Sequence, residues 1–244
     1  THVHVGMPSG DDAMRAMSRL IPALAALIAL SANSPFWRGY ETGHVAYRHR
    51  ILAAAPSFGL PVSFKRWADF EEFYHAALSS GMIEHFKDIH WDIRPHPDFG
   101  TIEIRAMDAA PDLQNLHALA AFARALIVCM VRTTDGELRE ILPAELPYWV
   151  ERENHYRAGR SGLDAEFIYD EQGRHRPIRG LIDDLISLCG PVAEEIGESK
   201  GLELAREILG GRTGYSMQSG LFSATGSTQA VTRELVRQLR RRPD

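Results

Sequence analysis

A pair of short strands is predicted by the stretch Ile89-His90-Trp91-Asp92-Ile93-Arg94-Pro95-His96-Pro97-Asp98-Phe99-Gly100-Thr101-Ile102-Glu103-Ile104-Arg105. Its second half alternates polar and apolar residues with the period of a strand. Successive strand side chains point to opposite faces, so Thr101, Glu103 and Arg105 share one face. A carboxylate beside a guanidinium can bind a metal ion and the phosphate it carries, or form a solvated ion pair. This stretch alone leaves both interpretations open.

Composition places the chain among ordinary globular proteins. Its 244 residues are 45% hydrophobic and 24% charged, enough to bury one large core or two small ones. A net charge of -5 gives no indication of nucleic-acid binding. Cys129 and Cys189 lie in apolar segments, which indicates reduced thiols in a cytoplasmic protein. The longest apolar run, Leu20 to Leu30, is too short to span a membrane and contains Pro22.

The pattern along the chain predicts an α+β protein in which helices dominate. A strand is expected over Thr1 to Val5, and a functional loop over Ser34 to Arg50. A Gly- and Ser-rich loop is expected over Gly210 to Gly220, before a closing helix from Ser227 to Arg241. The other helices are predicted at Asp11 to Ile28, Ile51 to Ala55, Trp67 to Ser80, Ala110 to Val131, Pro147 to Gly159, Pro177 to Leu188, Val192 to Ile196 and Gly201 to Leu209.

Two histidines near the start have a spacing that suits a metal site. His2 and His4 are one residue apart on the predicted strand, so both imidazoles project from the same face. Neutral imidazole is a common metal ligand, although surface histidines can have the same spacing. Glu103 is the candidate carboxylate from a neighbouring strand. A hard ion such as Mg²⁺ would need further oxygen ligands.

Several motifs in order resemble one family. They are His-Val-His-Val-Gly at 2–6, Ser-Pro-Phe-Trp-Arg-Gly at 34–39, Tyr-Arg-His-Arg at 47–50, Trp-Asp-Ile-Arg-Pro-His-Pro at 91–97, Thr-Ile-Glu-Ile-Arg at 101–105 with Met-Asp at 107–108, Glu-Asn-His-Tyr-Arg-Ala at 153–158 and Arg-Ser-Gly-Leu-Asp-Ala-Glu at 160–166. The chain is similar over essentially its whole length to the bacterial carboxylate–amine ligases known as glutamate–cysteine ligase type 2, within the glutamine synthetase-like superfamily.

The resemblance implies a glutamine synthetase-like antiparallel sheet with helices on one face. Residues 1–244 would form a single catalytic domain, with the sheet and site in 1–109 and a helical portion in 110–244. The implied activity is an ATP- and Mg²⁺-dependent (or Mn²⁺-dependent) ligation of a carboxylate to an amine. Glutamate and cysteine are the substrates of the type reaction, and an acyl phosphate is the intermediate.

The resemblance also implies roles for particular residues. His2 and Glu103 match metal ligands, and His4 matches a position near the nucleotide phosphates. Arg105 matches the arginine that stabilises the transferred phosphoryl group, and Arg94 is expected to bind phosphate or a substrate carboxylate. Further arginines expected to contact substrate or phosphate, or else to brace the loop, are Arg38, Arg48 and Arg50.

Other residues near these motifs have structural interpretations. Trp37 and Trp91 are expected to pack beneath the site, since large aromatic side chains chiefly contribute buried area. Asp92 is expected to brace an arginine or to cap a turn. Asn154 is expected on a polar, solvated helix face.

The chain departs from the family pattern at its start. The acidic strands that begin the family, and that supply most metal-binding carboxylates, are not found in this sequence. We therefore expect the 244-residue chain alone to have little ligase activity. A separate segment carrying those strands is one expected partner, and the apolar helices after residue 110 leave a homo-oligomer open.

Two other functions remain open at this stage. One is a family member that binds nucleotide or amino acid without catalysis. The other is a metal-dependent hydrolase with His-x-His at the start of a (β/α)₈ barrel, which requires regular alternation of strands and helices. Small-molecule amino acids and amines are the expected substrates, with no nucleic acid and no membrane as partners.

Overall fold

The computed structural model describes residues 1–55, 57–143 and 145–240, and shows an α+β fold there. The strands are β1 (Val3–Gly6), β2 (Phe36–Trp37), β3 (Tyr40–Glu41), β4 (Phe58–Gly59), β5 (His90–Trp91), β6 (Ile93–His96), β7 (Thr101–Ile104), β8 (Glu166–Ile168) and β9 (His175–Pro177). The helices are α1 (Gly10–Leu20), α2 (Leu24–Ser31), α3 (Arg48–Leu52), α4 (Trp67–Ser79), α5 (Leu113–Arg132), α6 (Asp135–Arg139), α7 (Tyr148–Ser161), α8 (Ile178–Glu195), α9 (Ser199–Leu209), α10 (Gly214–Thr225) and α11 (Thr228–Leu239).

The largest sheet has three antiparallel strands in the order β1–β7–β6. The predicted hairpin is confirmed as β6 and β7. A 3-10 turn joins them and ends at Gly100, whose φ of 61° lies in the left-handed region that favours glycine. The remaining described strands form two-stranded pairs. Since no barrel forms among the described residues, the barrel hydrolase interpretation is wrong.

Two helices cover the apolar face of this sheet. Helix α1 contacts β6 and β7, and α5 contacts β1. The strand residues Ile93, Ile102 and Ile104 are fully buried. Ser9 caps α1 by accepting a hydrogen bond from the Asp12 backbone N–H at 3.1 Å, as expected for the start of a helix. The apolar residues therefore face the core, and the polar residues of the same strands face the opposite side.

Helices from both halves of the chain share one core. Helix α2 is buried along its length and contacts α7 and α8, while α5 contacts α8 and α9. The segment Gly10–Ser31 and helix α5 are long and apolar enough to span a membrane by composition, but 83% of the first is buried inside the protein. Burial of that extent is what a core helix shows. Cys129 and Cys189 are both buried free thiols, as the sequence predicted.

The structure corrects several predicted elements. The two helices expected at 177–188 and 192–196 are one helix, α8, with Pro191 inside it. Gly190 precedes this proline and has no Cβ to clash with the proline ring, which eases the helical conformation. Part of the expected loop at Gly210–Gly220 is helix α10, capped by Thr213.

Two predicted boundaries also change. The helix expected at 51–55 lies at Arg48–Leu52, and Pro22 sits in a 3-10 turn, Ile21–Ala23, that separates α1 from α2. Ser227 caps the closing helix as predicted. Its expected end at Arg241 lies outside the described residues.

Candidate active site

The polar face of the three-stranded sheet brings together residues from all three strands. The register places His4 of β1 and Arg94 of β6 on either side of Glu103 in the central strand. His2 and Arg105, at the ends of the same alternation, also lie next to Glu103. Glu103 is only 2% exposed. The structure confirms the predicted pairing of His2 with His4 and of Glu103 with Arg105 on one face, and it adds Arg94 to that face.

Glu103 is held by two guanidiniums. Arg94 Nε donates to Oε2 at 2.8 Å, and Arg105 Nη1 donates to Oε1. Burial alone would raise the pKa of Glu103, but the hydrogen bond from Arg94 and the charge of Arg105 outweigh it and lower the pKa. Glu103 is therefore a carboxylate near neutral pH, and its charge is compensated from both sides.

Arg94 is an anchored side chain, 5% exposed, that positions Glu103. Its Nη1 donates to the backbone carbonyls of Lys87, at 3.3 Å, and of Ile89. Its guanidinium carbon lies 5.1 Å from the centre of the Phe86 ring. Arg94 thus contacts three groups of the protein besides Glu103, which suits a positioning role.

The two histidines lie against the same carboxylate oxygen. His2 Nδ1 is 3.0 Å and His4 Nε2 is 3.6 Å from Glu103 Oε1. Burial, helped by the positive charge of Arg105, lowers the pKa of His2 to about 4. Its imidazole is therefore neutral at pH 7, which is the form that binds metals. His4 Nδ1 lies 3.0 Å from the Thr101 hydroxyl, which fixes the orientation of its ring.

The donor set suits part of a metal site. His2 and Glu103 offer one neutral imidazole and one carboxylate oxygen in contact with each other. Within residues 1–55, 57–143 and 145–240, no three His, Cys, Asp or Glu side chains are arranged to hold a metal ion. A hard cation takes six or more oxygen ligands, many of them from water and phosphate. His2 and Glu103 can therefore supply at most two of the ligands.

Of the other predicted arginines, Arg48 reaches the polar face and Arg38 does not contact it. Arg48 Nη2 donates to the Arg105 backbone carbonyl at 2.9 Å, and its Nη1 lies 3.9 Å from Asp108 Oδ1. Arg38 has a φ of 51° and lies 5.9 Å from the Trp37 ring. Trp37 is 45% exposed, so the expectation that it packs beneath the site is wrong, whereas Trp91 is buried as expected.

A cavity of about 680 Å³ lies between α3, β4 and α7. Arg50, the last of the predicted arginines, lines it. Asp92 also lines it, and its two oxygens face His155 Nδ1 at 3.4 Å and His49 Nδ1 at 3.9 Å. Asp92 therefore pairs with histidines, which corrects the expectation that it braces an arginine or caps a turn.

Opposing effects determine the charges of Asp92 and His49. Burial alone would raise the pKa of Asp92, but His155 and His49 outweigh it and lower the pKa. Burial lowers the pKa of His49 more than the Asp92 charge raises it. The cluster is thus an anionic carboxylate beside a neutral histidine. No periodic pattern in the sequence predicts this cluster, because its members come from three separate segments.

Two polar side chains of α7 are buried, which differs from the solvated face predicted for Asn154. Asn154 is 1% exposed, and its side chain forms a pair of hydrogen bonds with the Ile168 backbone, at 2.7 and 2.8 Å. It therefore fixes β8 and is not a solvated residue. Glu151 is 3% exposed, and its Oε2 has no hydrogen-bond partner within the described ranges.

A family model and individual proteins match this chain. The model described as glutamate–cysteine ligase family 2 matches residues 1–239. A protein of Trichormus variabilis named "Putative glutamate--cysteine ligase 2" is 45% identical over 97% of this chain and 61% of its own length. A Frankia casuarinae protein of similar name is 41% identical over 88% of this chain and 55% of its own length. A Thermobifida fusca protein is 35% identical over 98% and 59%. The chain thus spans about three fifths of the length of the relatives it matches.

Proposed function

Because this chain belongs to glutamate–cysteine ligase family 2, we propose that it takes part in the ATP-dependent ligation of a carboxylate to an amine through an acyl phosphate. The observation that carries the proposal is the convergence of Glu103, Arg105, Arg94, His2 and His4 on the polar face of one sheet. Such a face combines fixed positive charge with a neutral imidazole and a carboxylate. These are the groups that a phosphoryl transfer requires.

The proposed chemistry has two steps. An oxygen of the substrate carboxylate attacks the γ-phosphorus of ATP, the bond to the bridging oxygen breaks, and ADP leaves. The amine nitrogen then attacks the acyl carbon, the C–O bond to phosphate breaks, and inorganic phosphate leaves as the nitrogen loses a proton. An amide of the γ-glutamylcysteine type is the proposed product.

Arg105 has the central role in this scheme. Its side chain lies at the edge of the site, where it can donate to phosphoryl oxygens as negative charge develops on them. Arg94 keeps Glu103 in place, and Arg48 fixes the backbone of Arg105. Arg105 is therefore the proposed catalytic arginine, whereas Arg94 and Arg48 act through their neighbours.

Mg²⁺ or Mn²⁺ is proposed to accompany ATP, with His2 and Glu103 supplying two ligands. A divalent cation bound to phosphate oxygens neutralises their charge. The remaining ligands would be phosphate oxygens, water or carboxylates other than those described here. The imidazole of His2 is already neutral at pH 7, so no proton has to leave it on binding.

Titration calorimetry with Mg²⁺–ATP tests the nucleotide part of the proposal. We expect saturable binding to the chain and at least tenfold weaker binding, about 1.4 kcal/mol, to Arg105→Gln. Arg139→Gln is the matched control, since Arg139 is exposed and lies on α6, away from the sheet. Absence of binding, or equal binding to the wild type and Arg105→Gln, would refute the proposal.

Isotope transfer tests the acyl phosphate directly. The chain is incubated with Mg²⁺–ATP, a panel of amines and ¹⁸O-carboxylate amino acids, and the released phosphate is analysed by mass spectrometry. Because the chain alone is expected to have little ligase activity, we expect a low yield of phosphate that carries one ¹⁸O atom, formed only when ATP, the labelled amino acid and an amine are all present. Nucleotide binding without any ADP release would instead identify a non-catalytic binding protein of the same family.

A further inference from the structure

The cavity between α3 and α7 contains unpaired polar groups of two kinds. Two arginines line it, Arg50 on α3 and Arg152 on α7. Neither guanidinium has an ion pair or a side-chain hydrogen bond in the described part of the chain, although most arginines there are paired with a carboxylate. Each lies over a tyrosine ring, Arg50 at 5.0 Å from Tyr156 and Arg152 at 5.8 Å from Tyr148.

The second kind of unpaired group lies in the wall of the cavity near Asp92. The Nδ1 atoms of His49 and His155 face Asp92, at 3.9 and 3.4 Å. The Nε2 atoms of both histidines are buried and have no hydrogen-bond partner among the residues that the structure describes. A buried polar atom without a partner costs about 1–3 kcal/mol, so such atoms commonly belong to sites that a ligand or water completes.

The facing carboxylate determines what these histidines can bind. A neutral histidine whose Nδ1 faces a carboxylate carries its proton on Nδ1, and its Nε2 is then an acceptor. Burial keeps the pKa of His49 below its ordinary value despite Asp92, consistent with the neutral form. The cluster therefore presents acceptors and a negative charge, and an amine or ammonium group is the complementary ligand. The two arginines present positive charge, and a carboxylate is complementary to them.

We propose that this cavity binds an amino acid, with its carboxylate on Arg50 and Arg152 and its amine on the Asp92–His49–His155 cluster. The volume of about 680 Å³ lies within the usual range of about 300–1,000 Å³ for small-molecule sites and leaves room for a side chain. The inference rests on the proposed function, because it assigns an amino-acid substrate of that reaction to a specific place.

The position of the cavity connects it to the polar face of the sheet. The Asp92 carbonyl accepts hydrogen bonds from the backbone N–H groups of Arg105, at 2.7 Å, and Ala106, at 3.0 Å. Asp92 also precedes Arg94 by two residues, which is about 7 Å of extended chain. On α3, Arg48 reaches the Arg105 carbonyl while the next residue, His49, faces Asp92. An amino acid in the cavity therefore lies beside the groups assigned to phosphoryl transfer.

Calorimetric titration of the 244-residue chain with the twenty common amino acids tests this site. We expect at least one to bind with a Kd below about 1 mM. Its decarboxylated amine and its deaminated acid should each bind at least tenfold more weakly, because each loses one of the two contacts. Failure of all amino acids to bind, or equal binding of the deaminated acid, would overturn the proposal. Equal binding of inorganic phosphate would show a general anion site and would overturn it as well.

Variants locate the binding. Arg152→Gln should weaken the amino acid at least tenfold, and so should His155→Asn, whose amide can still donate to Asp92 but lacks the Nε2 acceptor. Arg139→Gln is the control and should bind like the wild type. Thermal melts establish that each variant is folded. Arg50→Gln tests the second arginine of the cavity. Unchanged affinity in folded Arg152→Gln and Arg50→Gln would place the amino acid elsewhere and refute the inference.

The outcome is separable from that of the proposed function. Mg²⁺–ATP is titrated into the same samples. Nucleotide binding with no amino acid in the cavity would overturn this inference alone. Amino-acid binding that depends on Arg152, without any nucleotide binding, would support the cavity and refute the ligase.

Discussion

Glu151→Gln should remove a pH-dependent loss of stability. Glu151 is 3% exposed, and its Oε2 lacks a hydrogen-bond partner in the part of the chain that the structure describes. Burial raises the pKa of its carboxyl from the ordinary 4.5 to about 8. The raised pKa means that the folded protein keeps a proton that the unfolded chain releases above pH 4.5. Its stability contribution is therefore complete below that pH and is lost progressively as the pH rises towards 8.

The size of the effect follows from the shift. Each pH unit within this window costs about 1.4 kcal/mol, so the loss is on the order of 3 kcal/mol at pH 7. Glutamine has nearly the same shape and does not titrate. Its buried amide carries a penalty of about 1–3 kcal/mol, but that penalty is the same at every pH. The change with pH in the stability difference between Glu151→Gln and the wild type therefore reports the titration of Glu151. The constant penalty of the buried amide does not affect that change.

Urea unfolding at pH 5, 6, 7 and 8 measures this change. The free energy of unfolding of Glu151→Gln minus that of the wild type should rise with pH by about 1 kcal/mol per unit, and flatten above pH 8. Glu153→Gln is the control on the same helix, since Glu153 is more exposed and pairs with Arg157 at 2.7 Å. A difference between Glu151→Gln and wild type that stays constant from pH 5 to pH 8 would refute the reasoning.

Four further substitutions, one of them a control, test the packing of the fold and site. Gly201→Ala places a Cβ 2.1 Å from a side chain of α5 and should destabilise the protein by about 1–3 kcal/mol in urea unfolding. Gly220→Ala on α10 has open space around it and should stabilise the protein by about 0.5–1 kcal/mol. Equal effects of the two substitutions would contradict the close packing of α5 against α9. Arg94→Leu leaves Glu103 without its buried partner, so thermal melts should show a loss of about 3–5 kcal/mol, and a neutral change would show that the pair is not buried. Asn154→Ala removes both hydrogen bonds to the β8 backbone and should cost about 2–3 kcal/mol, with faster hydrogen exchange at Ile168; unchanged exchange there would refute the assigned role.

The polar face of the sheet could be predicted because its residues alternate along short stretches of sequence. Alternation along β7 places Glu103 and Arg105 together, and His-x-His places His2 and His4 together. Only the pairing of β1 with β7 had to be assumed, and the structure shows it. Local sequence rules therefore sufficed for the candidate site on this face.

The cavity could not be predicted because its residues lie far apart in the sequence. His49, Asp92 and His155 meet only when α3, the end of β5 and α7 pack together, and none of the three lies in a periodic pattern that points to the others. The missed helix α10 is a different case. Its Gly- and Ser-rich composition favours a loop, yet Thr213 caps its start and Gly226, with φ of 63°, ends it. Those two signals were present in the sequence and outweigh composition.

One hydrogen bond of the Gln218 side chain on α10 can form only late in the synthesis of the chain. Its Nε2 donates to the backbone carbonyl of Asn33, at 2.8 Å, from a position 185 residues later in the chain. Asn33 and Ser34 in turn donate to Asp108, close to the end of β7. The segment that joins α2 to the site therefore receives its last hydrogen bonds only after α10 has left the ribosome. A nascent chain halted before Gln218 would contain the whole β1–β7–β6 sheet but would lack this hydrogen bond to the segment beside it.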